Sequence, residues 1–353
     1  MSQLLLTGIC WGLLLNIYVS DSARKIQKQQ APDIHFSELK TNSSASIRGL
    51  VVVNENVIWA SGSGGTVLCS VDGGNNWKEI KVPGQIENDF RSIYAWNENK
   101  ALVFGVSGPD FGFLTEDGGK NWKTVYNNVT SGVFFDSVDF SDSETGLAVS
   151  DQVDGKPLVI KTTDGGRTWR KIENLPALNV GEAHFASSNT CIEFLPSGKA
   201  WIITGGSAAR VFFSEDFGEN WKVAETPMIQ GGASSGIFSV CFKNDLDGII
   251  VGGTYDKPEL NKQIAAYTTD GGKNWFSPEN MPAEYRSCVQ YITNGNEDFF
   301  FAIGKTGCDI SLDNGKNWNF LKKTNYFTFR SVPGRLVGFA AGSEGRIARV
   351  DFK

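Results

Sequence analysis

Short apolar runs recur along the chain from residue 34 onward, separated by turns rich in Gly, Asn, Asp and Ser. The runs favour Val, Ile, Phe, Leu and small residues, and no window after residue 30 carries apolar positions at helical spacing. Brief β-forming runs bounded by turn residues at regular intervals predict an all-β chain. First strands are expected near residues 47–53, 91–96, 136–140, 190–195, 238–242, 286–292 and 329–332. Second strands ending in Gly or another small residue follow at 58–61, 101–106, 146–150, 200–204, 248–252, 299–304 and 336–341.

An eight-residue pattern, Ser/Thr-x-Asp-x-Gly-x-Asn/Thr-Trp, occurs six times. It carries Asp72 and Trp77, Asp117 and Trp122, Asp164 and Trp169, Asp216 and Trp221, Asp270 and Trp275, and Asp313 and Trp318. The tryptophans stand 45, 47, 52, 54 and 43 residues apart, a period suited to one four-stranded sheet per repeat. Each pattern lies between a third strand, such as 67–70 or 158–162, and a fourth, such as 78–82 or 170–172. The residue types suit a turn. The Asp can accept hydrogen bonds from the turn's own N–H groups, the hydroxyl can close onto the Asp, and the Gly supplies a positive φ. The Trp can fill apolar space between neighbouring sheets, burying ~150–250 Å². The six Asp are accordingly read as structural, not as catalytic acids.

Seven first strands and seven second strands stand against six turn patterns. The seventh unit has a third strand at 346–352 and no fourth; residues 34–39 fit the empty slot. The expected fold is a seven-bladed β-propeller of four-stranded blades over residues 31–353. An N-terminal strand completes the last blade and removes the exposed sheet edges.

With 41% hydrophobic and 12% aromatic residues, the chain can build such a core. Net charge is −6, and residues 1–30 carry Asp21 against Arg24, Lys25 and Lys28, so the body is more acidic than the whole. That argues against nucleic acid as a partner. Residues 4–20 are an apolar run, short for a spanning helix and suited to a signal-peptide core, with Ser20-Asp21-Ser22 as a cleavage site. No Lys or Arg precedes the run, so an uncleaved anchor, and with it a membrane tether, is the second reading. Either way, export to a periplasm, a cell surface or the medium is expected. Of six cysteines, Cys10 lies in this leader. The other five form no CxxC pair and read as small buried thiols, although one bridge stays open.

The turn pattern resembles the Asp-box, or bacterial neuraminidase, repeat, over residues 33–353. The segment Ser46-Ile47-Arg48-Gly49-Leu50, followed by Ile58-Trp59-Ala60-Ser61-Gly62 and Ser63-Gly64-Gly65-Thr66-Val67, is similar to the first blade of the photosystem II assembly-factor family. That resemblance implies a single exported seven-bladed propeller that binds or assembles other proteins, with arginines on one face and Asp boxes on the other. Such relatives also occur in bacteria without photosystems, so the resemblance implies a class and not a ligand.

Propeller inner strands begin at one mouth of the central channel. Placed in register, they bring Arg48, Arg91, Asp136, Thr190, Phe238, Arg286 and Arg330 to one height. Ring closure makes the four arginines neighbours, and Arg210 and Lys305 extend the arc. A planar guanidinium fork suits carboxylate, sulfate or phosphate. The expected ligand is therefore a protein segment or an anionic ligand, glycans included, bound by Arg48, Arg91, Arg286, Arg330 and Arg210, with Asp136 as a neighbour. The alternative is that each arginine ties blades together through an acid or a carbonyl. Three long insertions, 173–189, 224–237 and 253–264, are expected to wall the opposite side, with His184, Met228 and Tyr255 as contacts.

A glycan-active hydrolase on the same face is the rival reading. It needs a Tyr nucleophile with a Glu, or two convergent carboxylates. Tyr94, Tyr285 and Tyr326, with Glu182, Glu193, Asp110, Asp151, Asp154 and Asp256, are the available groups. The Phe/Tyr-Arg-Ile-Pro start of sialidases is replaced by Ile47-Arg48-Gly49, which weighs against that chemistry. The only histidines, His35 and His184, are far apart and no Cys/His cluster exists, so no metal is expected. The glycine pairs precede no helix, so no nucleotide or other cofactor is expected either. The closed ring is expected to act as a monomer.

Overall fold

The first repeat folds as Ile47–Val52, Ile58–Gly62, Thr66–Ser70 and Lys78–Lys81, hydrogen-bonded in that order into one antiparallel sheet. Its second and third strands are buried throughout, whereas the outer strand buries Ile80 between exposed charged residues. A continuous apolar run marks a strand covered on both faces, and an alternating one marks an edge. In this computed structural model, which describes residues 30–353, six further sheets repeat the plan, with inner strands Phe90–Ala95, Phe135–Phe140, Ile192–Phe194, Gly232–Phe242, Cys288–Thr293 and Thr328–Ser331. Inner strands of consecutive blades touch, and that of blade seven touches that of blade one, so the ring closes. The leader and Cys10 lie outside the described residues; Cys69, Cys191, Cys241, Cys288 and Cys308 are free and buried.

Closure follows the expected route. Ile34–Leu39 pairs antiparallel with Ile347–Phe352, from Ile34 opposite Phe352 to Leu39 opposite Ile347, as the outer strand of blade seven. Blade five departs from the four-stranded plan. Its outer strand shrinks to a bridge between Tyr267 and Phe276. Its inner strand gains two short neighbours, Gly205–Gly206 and then Glu182–Ala183, which lead across from blade four.

The six turn patterns adopt one geometry. In the first, the Ser70 hydroxyl donates to Asp72 Oδ1 at 2.9 Å and accepts from Gly74 N–H at 2.9 Å. Asp72 in turn accepts from the Asn76 N–H at 2.9 Å and its side-chain amide at 2.7 Å. The second glycine also lets each box approach the preceding blade. A Cβ on Gly74 would stand 2.5 Å from Leu39 Cδ1, and one on Gly119 would stand 2.4 Å from Ile80 Cγ2. The tryptophans fill the seams: Trp77 packs with blades seven and one, Trp122 with blades one and two, and Trp318 with blades five and six.

These boxes make acid sensitivity predictable. Hydrogen bonds from the Asn121 backbone and then its side chain hold Asp117 down at about 2, against the opposing effect of desolvation. A carboxylate lowered in the folded state contributes fully above the ordinary range near 4 and loses that contribution as pH falls towards 2. Thermal unfolding should show the melting temperature dropping across that window, and the drop should be smaller in Asp117→Asn.

Candidate binding site at the channel mouth

Four inner strands carry the same irregularity at their start. Ladder register shifts between Ile47 and Gly49, Phe90 and Ser92, Phe135 and Ser137, and Ile237 and Ser239. The extra residue of such a bulge is re-aimed out of the ladder. Here it is Arg48, Arg91, Asp136 and Phe238, and all four line a cavity of about 470 Å³ at the mouth. In blades six and seven the lining includes Tyr285, Ser287, Lys305 and Phe327, and neither Arg286 nor Arg330.

The structure therefore splits the arginine arc. Arg286 is fully buried and turned into its own blade, where it ion-pairs with Asp309 at 2.5 Å and donates to the Tyr285 carbonyl at 2.8 Å. Arg210 grips buried Glu182 with Nε at 3.0 Å and Nη2 at 2.5 Å. Arg330 faces the lower channel and donates to the Ser188 and Asn189 carbonyls at 3.0 and 2.8 Å. Those three act as ties. The sequence register was misled by Arg-Ser pairs at Arg286-Ser287 and Arg330-Ser331 that mimic Arg91-Ser92 but stand out of step with their strands.

A feature absent from the sequence reading explains Arg330. The end of the first insertion does not stand opposite the arginines; it crosses the channel as a plug. Asn189, at φ 56°, accepts from Val138 N–H at 3.0 Å and donates to the Ile93 carbonyl at 2.9 Å. Ser188 donates to the Ser287 carbonyl at 2.6 Å and accepts from Thr328 Oγ1 at 3.0 Å. Residues Ser187 to Asn189 thus reach blades one, two, three, six and seven, since Arg48 Nη1 donates to the Ser187 carbonyl at 3.4 Å. Asn tolerates left-handed backbone and brings both a donor and an acceptor, which suits such a hub. The small polar run Ser187-Ser188-Asn189 before an inner strand was its only sequence signal.

Above the plug, the mouth has one cationic side. Arg48 stacks on Phe327 at 4.6 Å and ion-pairs with no carboxylate among the described residues; burial, then the neighbouring Arg91, lower its affinity for its proton. Arg91 pairs with Asp89 at 2.8 Å and lies over Phe134 at 5.4 Å. Lys305 reaches over to donate to the Tyr255 carbonyl. The other side holds Asp136, Asp151 and His184 beneath an aromatic wall in which Phe185 stacks on Phe238 at 4.2 Å. Burial, then Asp151, raise Asp136 well above the carboxylate range, while Arg91 opposes the rise. Of the expected insertion contacts, His184 and Tyr255 line this cavity and Met228 is buried in the core.

Below the plug, a second cavity of about 680 Å³ opens on the Asp-box face, lined by Tyr94, Asp139, Glu193, Gln290 and Arg330 among others. Burial pushes Asp139 up to about 6, and burial with Asp139 pushes Glu193 up to about 8. The carboxylates and tyrosines offered for hydrolysis are divided between the two cavities, with Tyr285 and Asp151 in the upper and Tyr94 and Glu193 in the lower. Asp151 lies above the plug and Glu193 below it, Asp154 and Asp256 are exposed in turns, Glu182 is held by Arg210, and Tyr326 donates to Glu38 at 2.6 Å. Asp110 only begins the third strand of blade two. No group of three or more His, Cys, Asp or Glu among the described residues could hold a metal ion.

Fold and site together define a single-ring Asp-box propeller with a plugged channel and a cationic mouth. Comparison with known proteins narrows that class. Residues 16–113 match the family described as photosynthesis system II assembly factor YCF48. The photosystem II assembly lipoprotein Ycf48 of Synechococcus sp. (strain CC9902) is 23% identical over 249 residues, spanning 70% of this chain and 66% of that relative, just under two thirds of its length. The Ycf48 assembly protein of Synechococcus sp. (strain JA-2-3B'a(2-13)) is 25% identical over 268 residues, 65% of this chain and 74% of its own. A solved structure of YCF48 bound to D1 peptide superposes with a TM-score of 0.63 at 15% identity, over 92% of this chain and 98% of its own; at that identity it speaks for the fold. The chain is a seven-bladed propeller that is similar to the photosystem II assembly factors.

Proposed function

We propose that this propeller is an exported binding factor that takes an anionic segment of a partner protein into the mouth above the plug, and that it does so without catalysis. The observation that carries this reading is the Arg48–Arg91 pair, two guanidinium groups lining one cavity, of which Arg48 is lowered by burial and then by Arg91 and has no ion-pair partner among the described residues. Two close cations in a concave, partly dry mouth lower their mutual repulsion when an anion arrives between them. The relatives named as assembly factors, and the YCF48 whose solved structure holds a D1 peptide, support a protein segment as the partner. The lipoprotein relative supports an exported protein held at a membrane.

Arg48→Ala/Arg91→Ala should weaken an acidic peptide about tenfold or more by calorimetry, with an unchanged melting transition. The loss should be mimicked in the unaltered protein by raising ionic strength. An affinity that the double substitution leaves intact would remove the basis of the reading.

A further inference from the structure

Beside the arginines, the mouth buries acceptors that no hydrogen bond of good geometry satisfies among the described residues. Asp136 is 1% exposed, and neither of its carboxyl oxygens has a hydrogen bond of good geometry, although the Asp151 and Ala186 N–H groups stand close enough to favour its ionised form. His184 is 3% exposed. Its Nδ1 lies 2.9 Å from the Ile203 carbonyl, which can only accept, so the proton sits on Nδ1 and Nε2 is a bare acceptor. Nε2 is also buried and unpartnered. Both residues line the same cavity as Arg48 and Arg91. Asp151 lines it too, and spends one oxygen on the His184 N–H at 3.1 Å. Buried polar groups are nearly always paired, and orphaned ones concentrate where a ligand or ordered water completes them.

The two sides stand close. Asp136 and Arg91 are the bulged residues of adjacent blades, at the same height, yet they form no ion pair: Arg91 is turned to Asp89 and Phe134 instead. A cation and an acid on neighbouring blades thus feel each other without forming a direct ion pair.

We propose that the mouth is dipolar and that its ligand carries a carboxylate for Arg48 and Arg91 together with a positively charged nitrogen, a few bonds away, for Asp136 and His184. An α-amino acid is the smallest such ligand, and a chain segment with adjacent acidic and basic side chains is the larger one. This rests on the anion reading above and adds a second requirement to it. An ammonium has N–H donors and no acceptor, so it matches a site that offers acceptors only once Asp136 is ionised. Burial, then Asp151, raise the Asp136 carboxyl and Arg91 opposes the rise, so an arriving cation should favour the ionised form and send the proton to solvent.

The test is calorimetry at pH 7 with two matched probe pairs, each differing only in the cation: L-phenylalanine against 3-phenylpropionate, and acetyl-Glu-Lys-amide against acetyl-Glu-norleucine-amide. At least one pair should favour the cation-bearing member tenfold or more, and which pair does so distinguishes a free amino acid from a chain segment. Binding should release a proton, seen as heats that differ between buffers of unlike ionisation enthalpy. Asp136→Asn, nearly isosteric, should erase both the preference and the proton while leaving 3-phenylpropionate within about twofold. If the carboxylate-only probes bind in an Arg48- and Arg91-dependent way and neither cation improves on them, the dipolar mouth is overturned and the anion site stands. If no probe depends on the arginines, both fall.

Discussion

Replacing Arg286 by Ala should destabilise the fold by about 3–5 kcal/mol in urea unfolding, the cost of leaving one member of a buried ion pair alone. Arg286 and Asp309 are both 0% exposed, and the second Asp309 oxygen is occupied by the Ala283 N–H at 3.0 Å. Burial raises the Asp309 carboxyl while Arg286 opposes the rise, so without the guanidinium the acid must protonate or admit water. Breaking the pair and replacing it are different experiments. Arg286→Met/Asp309→Leu removes both charges and should recover much of the loss, since apolar pairs of similar volume often match a buried ion pair. Anion binding per folded molecule should be unchanged in Arg286→Ala, because this arginine does not line the mouth. A variant as stable as the parent that no longer binds would place Arg286 in the site after all.

Deleting residues 31–40 should have the larger effect still: loss of the folded monomer. Six consecutive residues of Ile347–Phe352 would lose their ladder partner. Phe36 would no longer stack on Tyr326 at 5.5 Å, and the Tyr326 hydroxyl would lose Glu38. Leu39, which covers the Trp77 seam, would leave blade one open as well. An unpaired apolar strand is a template for other chains, so the shortened protein should elute as oligomers or aggregate. A synthetic peptide of residues 31–42 added during refolding should restore a monomer, because strand addition supplies the same ladder in trans. A monomer that folds without the segment would show that closure is dispensable.

How much of this was readable in sequence depends on the range of the interactions. The Asp boxes were, because each is a contiguous turn in which the Asp, hydroxyl and glycine bond within five residues of one another. The closing strand was too, since counting strands against turn patterns leaves one vacancy and one unassigned run. The mouth was legible in blades one to three, where Arg48, Arg91 and Asp136 occupy real bulges, and illegible in blades six and seven. There the register is set by hydrogen bonds between strands, and an Arg-Ser pair carries no mark of which rung it occupies. Arg286 and Arg210 were misread for a related reason. Their partners, Asp309 and Glu182, stand 23 and 28 residues away and meet them only in the folded ring. The plug was hidden most deeply. Its length was visible, but nothing in Ser187-Ser188-Asn189 says that it crosses a channel.

The plug also changes how the ring should come apart. Repeat proteins usually behave as chains of neighbours, in which one unit can fray while distant ones persist. Here a three-residue spoke bonds blades one, two, three, six and seven to one another through the centre, across sequence distances up to 142 residues. A blade that opens withdraws its hydrogen bonds from the hub and so weakens blades it does not touch. The molecule is thereby wired as a wheel rather than a necklace, and its amide protons should exchange as one cooperative unit instead of in a gradient from the closing seam.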